Sequence, residues 1–194
     1  MIPTASATPE PPPSRAIAFK EWAGVCDALA SGRQSLILRK GGVAEGPEGF
    51  RPDHPAFWMY PTHVHQAEQG LRSPGTPRIV EVPRVVAIDT LAVVEWVGRV
   101  ERLDQLDGLA PLHDWTAETV LQRFHYRKPG LWALLVRIYL RPEAWPVAIT
   151  EAQLGCKTWV PLESPPPPSS LAPALGDEES ADRLRALRSA LGGG

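Results

Sequence analysis

Cysteine, lysine and long apolar runs are scarce in this 194-residue chain. The two cysteines, Cys26 and Cys156, stand far apart and form no CxxC pair. That excludes a disulfide framework and fits a reducing compartment, the cytoplasm. No apolar run approaches the roughly 20 residues that cross a bilayer, so no membrane partner is expected. The first residues, MIPTASATPEPPPS, lack the charged and apolar regions of a signal peptide. Charge of one sign is lacking too. Twenty Lys and Arg stand against 22 Asp and Glu, a formal net charge of −2. The chain as a whole is no polycation, and a nucleic-acid surface has to be a local patch. Of the 20 basic residues only four are lysines: Lys20, Lys40, Lys128 and Lys157.

Hydrophobic residues make up 43% of the chain, enough for one core at this length. Residues 1–14, rich in Pro, Ser and Thr, read as a disordered tail. One globular domain is expected over 15–163. A Pro-rich linker follows at 164–178, then a short helix and glycine tail at 179–194, marginal on its own in water. Phe19, Trp22, Ala23, Cys26 and Leu29 recur at helical spacing, and Gly32 is a natural stop. Gln34 to Arg39 and Ala56 to Tyr60 read as strands, with Thr62 as the N-cap of a turn or short helix. Val85–Ile88 and Leu91–Leu103 read as strand, and Asp104–His113 as a polar connection. Trp115–Phe124 reads as a helix capped by Thr116. Leu131–Leu140 alternates most clearly, with Trp132, Leu134, Val136, Ile138 and Leu140 on one face and Arg137, Tyr139 and Arg141 on the other. Pro146–Thr150 and Lys157–Leu162 complete the strands. The fold class is α+β: an antiparallel sheet or a partly closed barrel with a few flanking helices.

The central stretch is Ser35 to Gln66. Its two strands end in polar groups, Arg39-Lys40-Gly41-Gly42 and Pro61-Thr62-His63-Val64-His65, which places both sets at one end of a sheet. A shared pocket of Lys20, Glu21, Lys40, Glu45, His63 and His65 is the basis of an enzyme reading, with a nucleotide or nucleic acid as substrate. No Ser or Cys nucleophile stands in a recognisable elbow, so no catalytic residue is assigned. RKGG followed by Glu45 is neither a P-loop nor a dinucleotide fingerprint, and a tight turn with surface cations explains it equally. His63 and His65 share a face only on a strand. His54, His113 and His125 add no zinc-like spacing, so no metal site and no cofactor are expected.

Thr119 to Pro142 contains no acidic residue. It carries Arg123, His125, Arg127, Lys128, Arg137 and Arg141, interleaved with Phe124, Tyr126, Trp132 and Tyr139. Cations neutralise phosphates and rings stack on unpaired bases. With Arg39 and Lys40 these form a candidate surface for DNA or RNA, set against the plainer reading of a solvated basic face over core aromatics.

FKEWAGVCDAL, LILRKGG with Glu45, FWMYPTHVHQ, RFHYRKPGLWALLVRIYL and GCKTWVPL occur in that order over about 17–162. In these motifs the chain resembles the domain of unknown function (DUF) 1802 family. That resemblance implies no activity. It implies a prokaryotic setting and, because some members carry a restriction-endonuclease-type domain, a restriction-type nuclease as partner and a place in restriction or defence. The order strand, polar connection, helix, long strand is similar to that of PUA-like barrels, which include readers of RNA and of modified DNA bases. A non-catalytic nucleic-acid-binding module is the first expectation, and the pocket enzyme the second.

Overall fold

A computed structural model describes residues 16–40, 50–63, 70–73, 84–155, 157–167 and 169–192. Among these residues seven strands form one sheet: β1 (Ile17–Trp22), β2 (Leu36–Arg39), β3 (Ala56–Thr62), β4 (Val85–Val100), β5 (Leu131–Ala148), β6 (Trp159–Pro161) and β7 (Ala172–Pro173). The order is β2-β5-β4-β3-β1-β6, with β7 beside β2 on the same edge of β5. Among the described residues four α-helices flank it: α1 (Ala23–Ala30), α2 (Leu103–Leu109), α3 (Ala117–His125) and α4 (Asp177–Ala190). The fold is α+β, a mixed-sheet half-barrel. Its strand pairs are antiparallel except β1 with β3, which run parallel from Ala18↔Trp58 to Trp22↔Thr62.

The helical stripe expected from Phe19 to Leu29 divides. Its first part is strand, because β1 is hydrogen-bonded on both edges, by β3 and β6, and a helix would forfeit both ladders. Only Ala23–Ala30 is helical, burying Val25, Cys26, Ala28 and Leu29 and ending at Gly32 with φ 73°. Thr62, expected to start a turn or helix, instead ends β3. Pro61 is tolerated there because β4 pairs β3 only over Ala56–Trp58, so the missing N–H breaks no β3–β4 bond. The two β5 candidates merge into one 18-residue strand. The expected polar connection after β4 contains α2, with Leu106 and Leu109 buried.

Two apolar clusters alternate along the strands. Phe19, Phe57 and Met59 belong to the larger one, with α1, α3 and Leu187 of α4. Ala18, Trp58 and Tyr60 belong to the other, with Val86, Ile88 and Tyr139. The period of two along a strand therefore sends Phe19, Phe57 and Met59 to one cluster and Ala18, Trp58 and Tyr60 to the other. The segment expected as linker and appended helix is packed into this fold. Ala172 pairs with Leu140, Gly32 lies against Leu175, and Leu187 is fully buried. The Pro-rich stretch reads in sequence as linker, but Ala172 and Pro173 sit on the sheet edge, where proline is allowed.

Candidate functional site

Glu21 and Arg39 carry the centre of the site. Glu21 lies next to last on β1, 4% exposed, and Arg39 ends β2. In the sheet path those strands are separated by β5, β4 and β3. Arg39 nevertheless donates from Nη1 to Glu21 Oε2 at 3.4 Å and from Nη2 to Thr158 Oγ1, just before β6, at 2.6 Å. Its guanidinium also stands 5.3 Å from the Phe19 ring. One side chain thus ties the first strand of the path to its last two, across the open side of the half-barrel. The second Glu21 oxygen accepts from the Trp22 N–H at 2.8 Å, and the Thr62 hydroxyl donates to the Glu21 carbonyl at 3.0 Å. His63 follows Thr62 at this same end.

Above that floor stands an aromatic and cationic stack. The Arg123 guanidinium lies 4.8 Å from the Trp22 ring and 5.5 Å from Trp115, whose centroids are 6.0 Å apart. Burial pulls the Arg123 guanidinium below its ordinary value; Glu21 opposes that shift and Arg39 adds to it. Arg123 sits on α3, whose start is fixed by Thr116 Oγ1 accepting from the Thr119 N–H at 3.2 Å.

The chain leaves α3 in a turn, Tyr126 to Gly130, that is exposed up to Gly130. Arg127 has φ 61°, a left-handed conformation unusual for a side-chain-bearing residue, and its guanidinium lies 5.2 Å from the Tyr126 ring. Tyr126 is 47% exposed. Among the described residues neither Arg127 nor Lys128 meets a carboxylate. Lys40 lies beneath the turn. Its ammonium donates to the carbonyls of Phe124 at 3.0 Å, Gly130 at 2.7 Å and Lys128. Burial and the nearby Arg99 charge pull the Lys40 ammonium below its ordinary value.

These contacts separate the sequence candidates. Arg39, Lys40, Arg123, His125, Arg127 and Lys128 fall at or beside the strand ends and the turn that follows α3. Arg137 and Arg141 lie about 20 and 33 Å further along β5, counted from Leu131. Arg137 pairs with Asp177 at the start of α4, and Arg141 donates to the carbonyls of Glu143 and Pro167. Of the six-residue pocket, Lys20, Glu21, Lys40 and His63 are described, and the first three do not converge. Lys20 and Glu21 project to opposite faces of β1. Lys20 donates to the carbonyls of Gln153 and Gly155 and stands 5.5 Å from the Tyr60 ring. Lys40 is under the turn, and Glu45 and His65 lie outside the described residues. A water-sized cavity of about 10 Å³ lies elsewhere, between α4 and β5. The sequence reading missed Trp22 and Trp115 as site residues. In sequence Trp22 belongs to an apolar stripe and Trp115 to a helix start, and their meeting depends on β1 and α3 being brought together.

The model of a domain of unknown function, DUF1802, matches residues 18–186. The chain belongs to the DUF1802 family. The match takes in α4 as far as Ala186, so the DUF1802 unit extends past the boundary expected at residue 163. No curated protein matches the chain in sequence. Solved structures similar to it include the crystal structure of ASCH from Zymomonas mobilis, at 16% identity and TM-score 0.42, covering 88% of this chain and 94% of that one. A point mutant of that protein gives 15% identity and 0.39, covering 90% and 98%. Among the described residues no three His, Cys, Asp or Glu gather to hold a metal ion, and no helix is long and apolar enough to cross a membrane.

Proposed function

We propose that this DUF1802 chain is a nucleic-acid-binding module that grips a phosphate backbone at the turn between α3 and β5. The observation that carries the reading is the exposed Tyr126-Arg127-Lys128 turn. Two cations with no carboxylate partner among the described residues stand beside an exposed ring, on a turn braced from below by Lys40. Unpaired cations beside a ring suit a phosphate with a neighbouring base. The dispersal of Lys20, Glu21 and Lys40 favours binding over catalysis, because general acid–base work needs its groups within reach of one reacting atom.

Fluorescence anisotropy with labelled 24-residue single- and double-stranded DNA and RNA, over a series of salt concentrations, tests this. The variant of choice is Arg127→Gly with Lys128→Ala. Glycine adopts φ 61° without strain, so the change removes charge while easing the backbone. Removing two phosphate contacts is expected to lower the log–log salt slope by about 1.4 on single strands and about 1.8 on duplex. A parent that binds nothing at low salt, or a double variant that binds like the parent, overturns the proposal. Arg123 is kept out of this variant, since its stack on Trp22 and Trp115 makes its loss a packing change as well.

A further inference from the structure

Three arginines from distant parts of the sequence converge on the segment from Ala110 to Asp114, which leads into α3. Arg33, just after α1, donates from Nη1 to Asp114 Oδ2 at 3.1 Å. Arg72 pairs with the other Asp114 oxygen at 4.0 Å and donates to the carbonyls of Ala110 and His113. Arg183 on α4 donates to the carbonyls of Pro111 and Gly32, each at 3.2 Å. Asp114 is buried, whereas the Arg33 and Arg72 side chains are 44% and 46% exposed. Carbonyl acceptors satisfy a guanidinium's hydrogen bonds without cancelling its charge. Three cations against one carboxylate leave a net positive patch with exposed donors.

We infer that this Arg33–Arg72–Arg183 patch is a second phosphate-contact point for the same polyanion, at the opposite end of α3 from the Arg127–Lys128 turn. The inference rests on the nucleic-acid reading above. Asp114 precedes Trp115, and Arg123 on α3 packs over Trp115, so the stack lies between the two basic patches. The nine residues of α3 span about 13 Å at 1.5 Å per residue. Measured along the axis of a B-form duplex, that is about four base-pair steps. Glu118, the carboxylate on α3, pairs with Gln122 on a different stripe of the helix from Thr116 and Arg123. The partner class is therefore an extended nucleic-acid backbone with phosphates at both ends of α3, in preference to a mononucleotide.

The test is the same anisotropy titration with two further variants of the full chain, Arg33→Gln/Arg72→Gln and Arg33→Lys/Arg72→Lys, each checked for parental melting behaviour. On the 24-residue duplex the Gln pair is expected to lower the salt slope by about 1.8, and the Lys pair to leave it near the parent. If the arginines only brace the Ala110–Asp114 segment, the Lys pair perturbs binding as much as the Gln pair, and the inference falls. An unchanged slope in the folded Gln pair also overturns it while leaving the turn site standing. If the Gln pair loses slope but the turn variant does not, the patch stands and the turn reading fails. A parent with no binding removes both.

Discussion

Replacing Lys40 with alanine removes one ammonium and leaves three carbonyls, those of Phe124, Lys128 and Gly130, without their shared donor. A hydrogen bond to a charged group contributes about 1.5–3 kcal/mol, and partial exposure here puts the expected loss near 1–2 kcal/mol. Thermal unfolding of Lys40→Ala checks this; a melting temperature equal to the parent's means the brace contributes nothing. An exposed cation such as Lys128 should change stability by less than about half a kcal/mol. His113 carries a pH dependence. It is buried, its Nδ1 accepts from the Trp115 N–H, and burial first, then the Arg72 charge, lowers its pKa to about 4, with Asp114 opposing. The folded state therefore favours the neutral ring, and the unfolded chain takes up the proton first. This stability is fully present above pH 6.5 and is lost as pH falls toward 4, by up to about 3 kcal/mol. A His113→Gln variant should lose less melting temperature than the parent between pH 7 and 4.5, and equal losses would sink the idea. Neither role was readable from residue identity. Lys40 was legible as a cation at the site, but the carbonyls that bind it come from residues 84 to 90 positions away.

At the scale of elements, α4 and β7 decide where the folding unit ends. Leu187 is fully buried, Leu184, Ala190 and Leu191 pack against the same cluster, and Asp177 pairs with Arg137. Fully burying one leucine contributes about 1.5–3 kcal/mol, so ending the chain at residue 163 should remove about 4 kcal/mol or more. That is a large share of the 5–15 kcal/mol typical of a domain, and corresponds to a melting temperature about 10 °C lower. A truncated chain that melts with the parent would restore the view of α4 as an appendage. The amphipathic leucine spacing of α4 was legible; its docking partner was not, because the proline run masked a short edge strand. Alternation identified the faces of β5 that carry Val136 and Ile138 on one side and Arg137 and Tyr139 on the other, since a side chain's face follows from period two alone. The strand β1 reads as helix because Phe19 and Trp22 stand three apart, a helical spacing that puts them on opposite faces of a strand, and only the β3 and β6 ladders decide for strand.

For the whole molecule, the anisotropy series is the measurement that separates a reader of backbones from a pocket enzyme. A steep salt dependence with similar affinity for unrelated sequences belongs to a surface that meets phosphates. The tie from Arg39 to Thr158 also has a consequence for how the protein is made. Its two ends are 119 positions apart, and β1 waits for β6 from the same late stretch. At about 5–20 residues per second, synthesis leaves Arg39 without that partner for roughly 6–24 s. During that interval the β1 edge is open to any other strand. A nascent chain stalled before residue 158 should therefore bind chaperones or aggregate, and one stalled well after β6 has emerged should do so less.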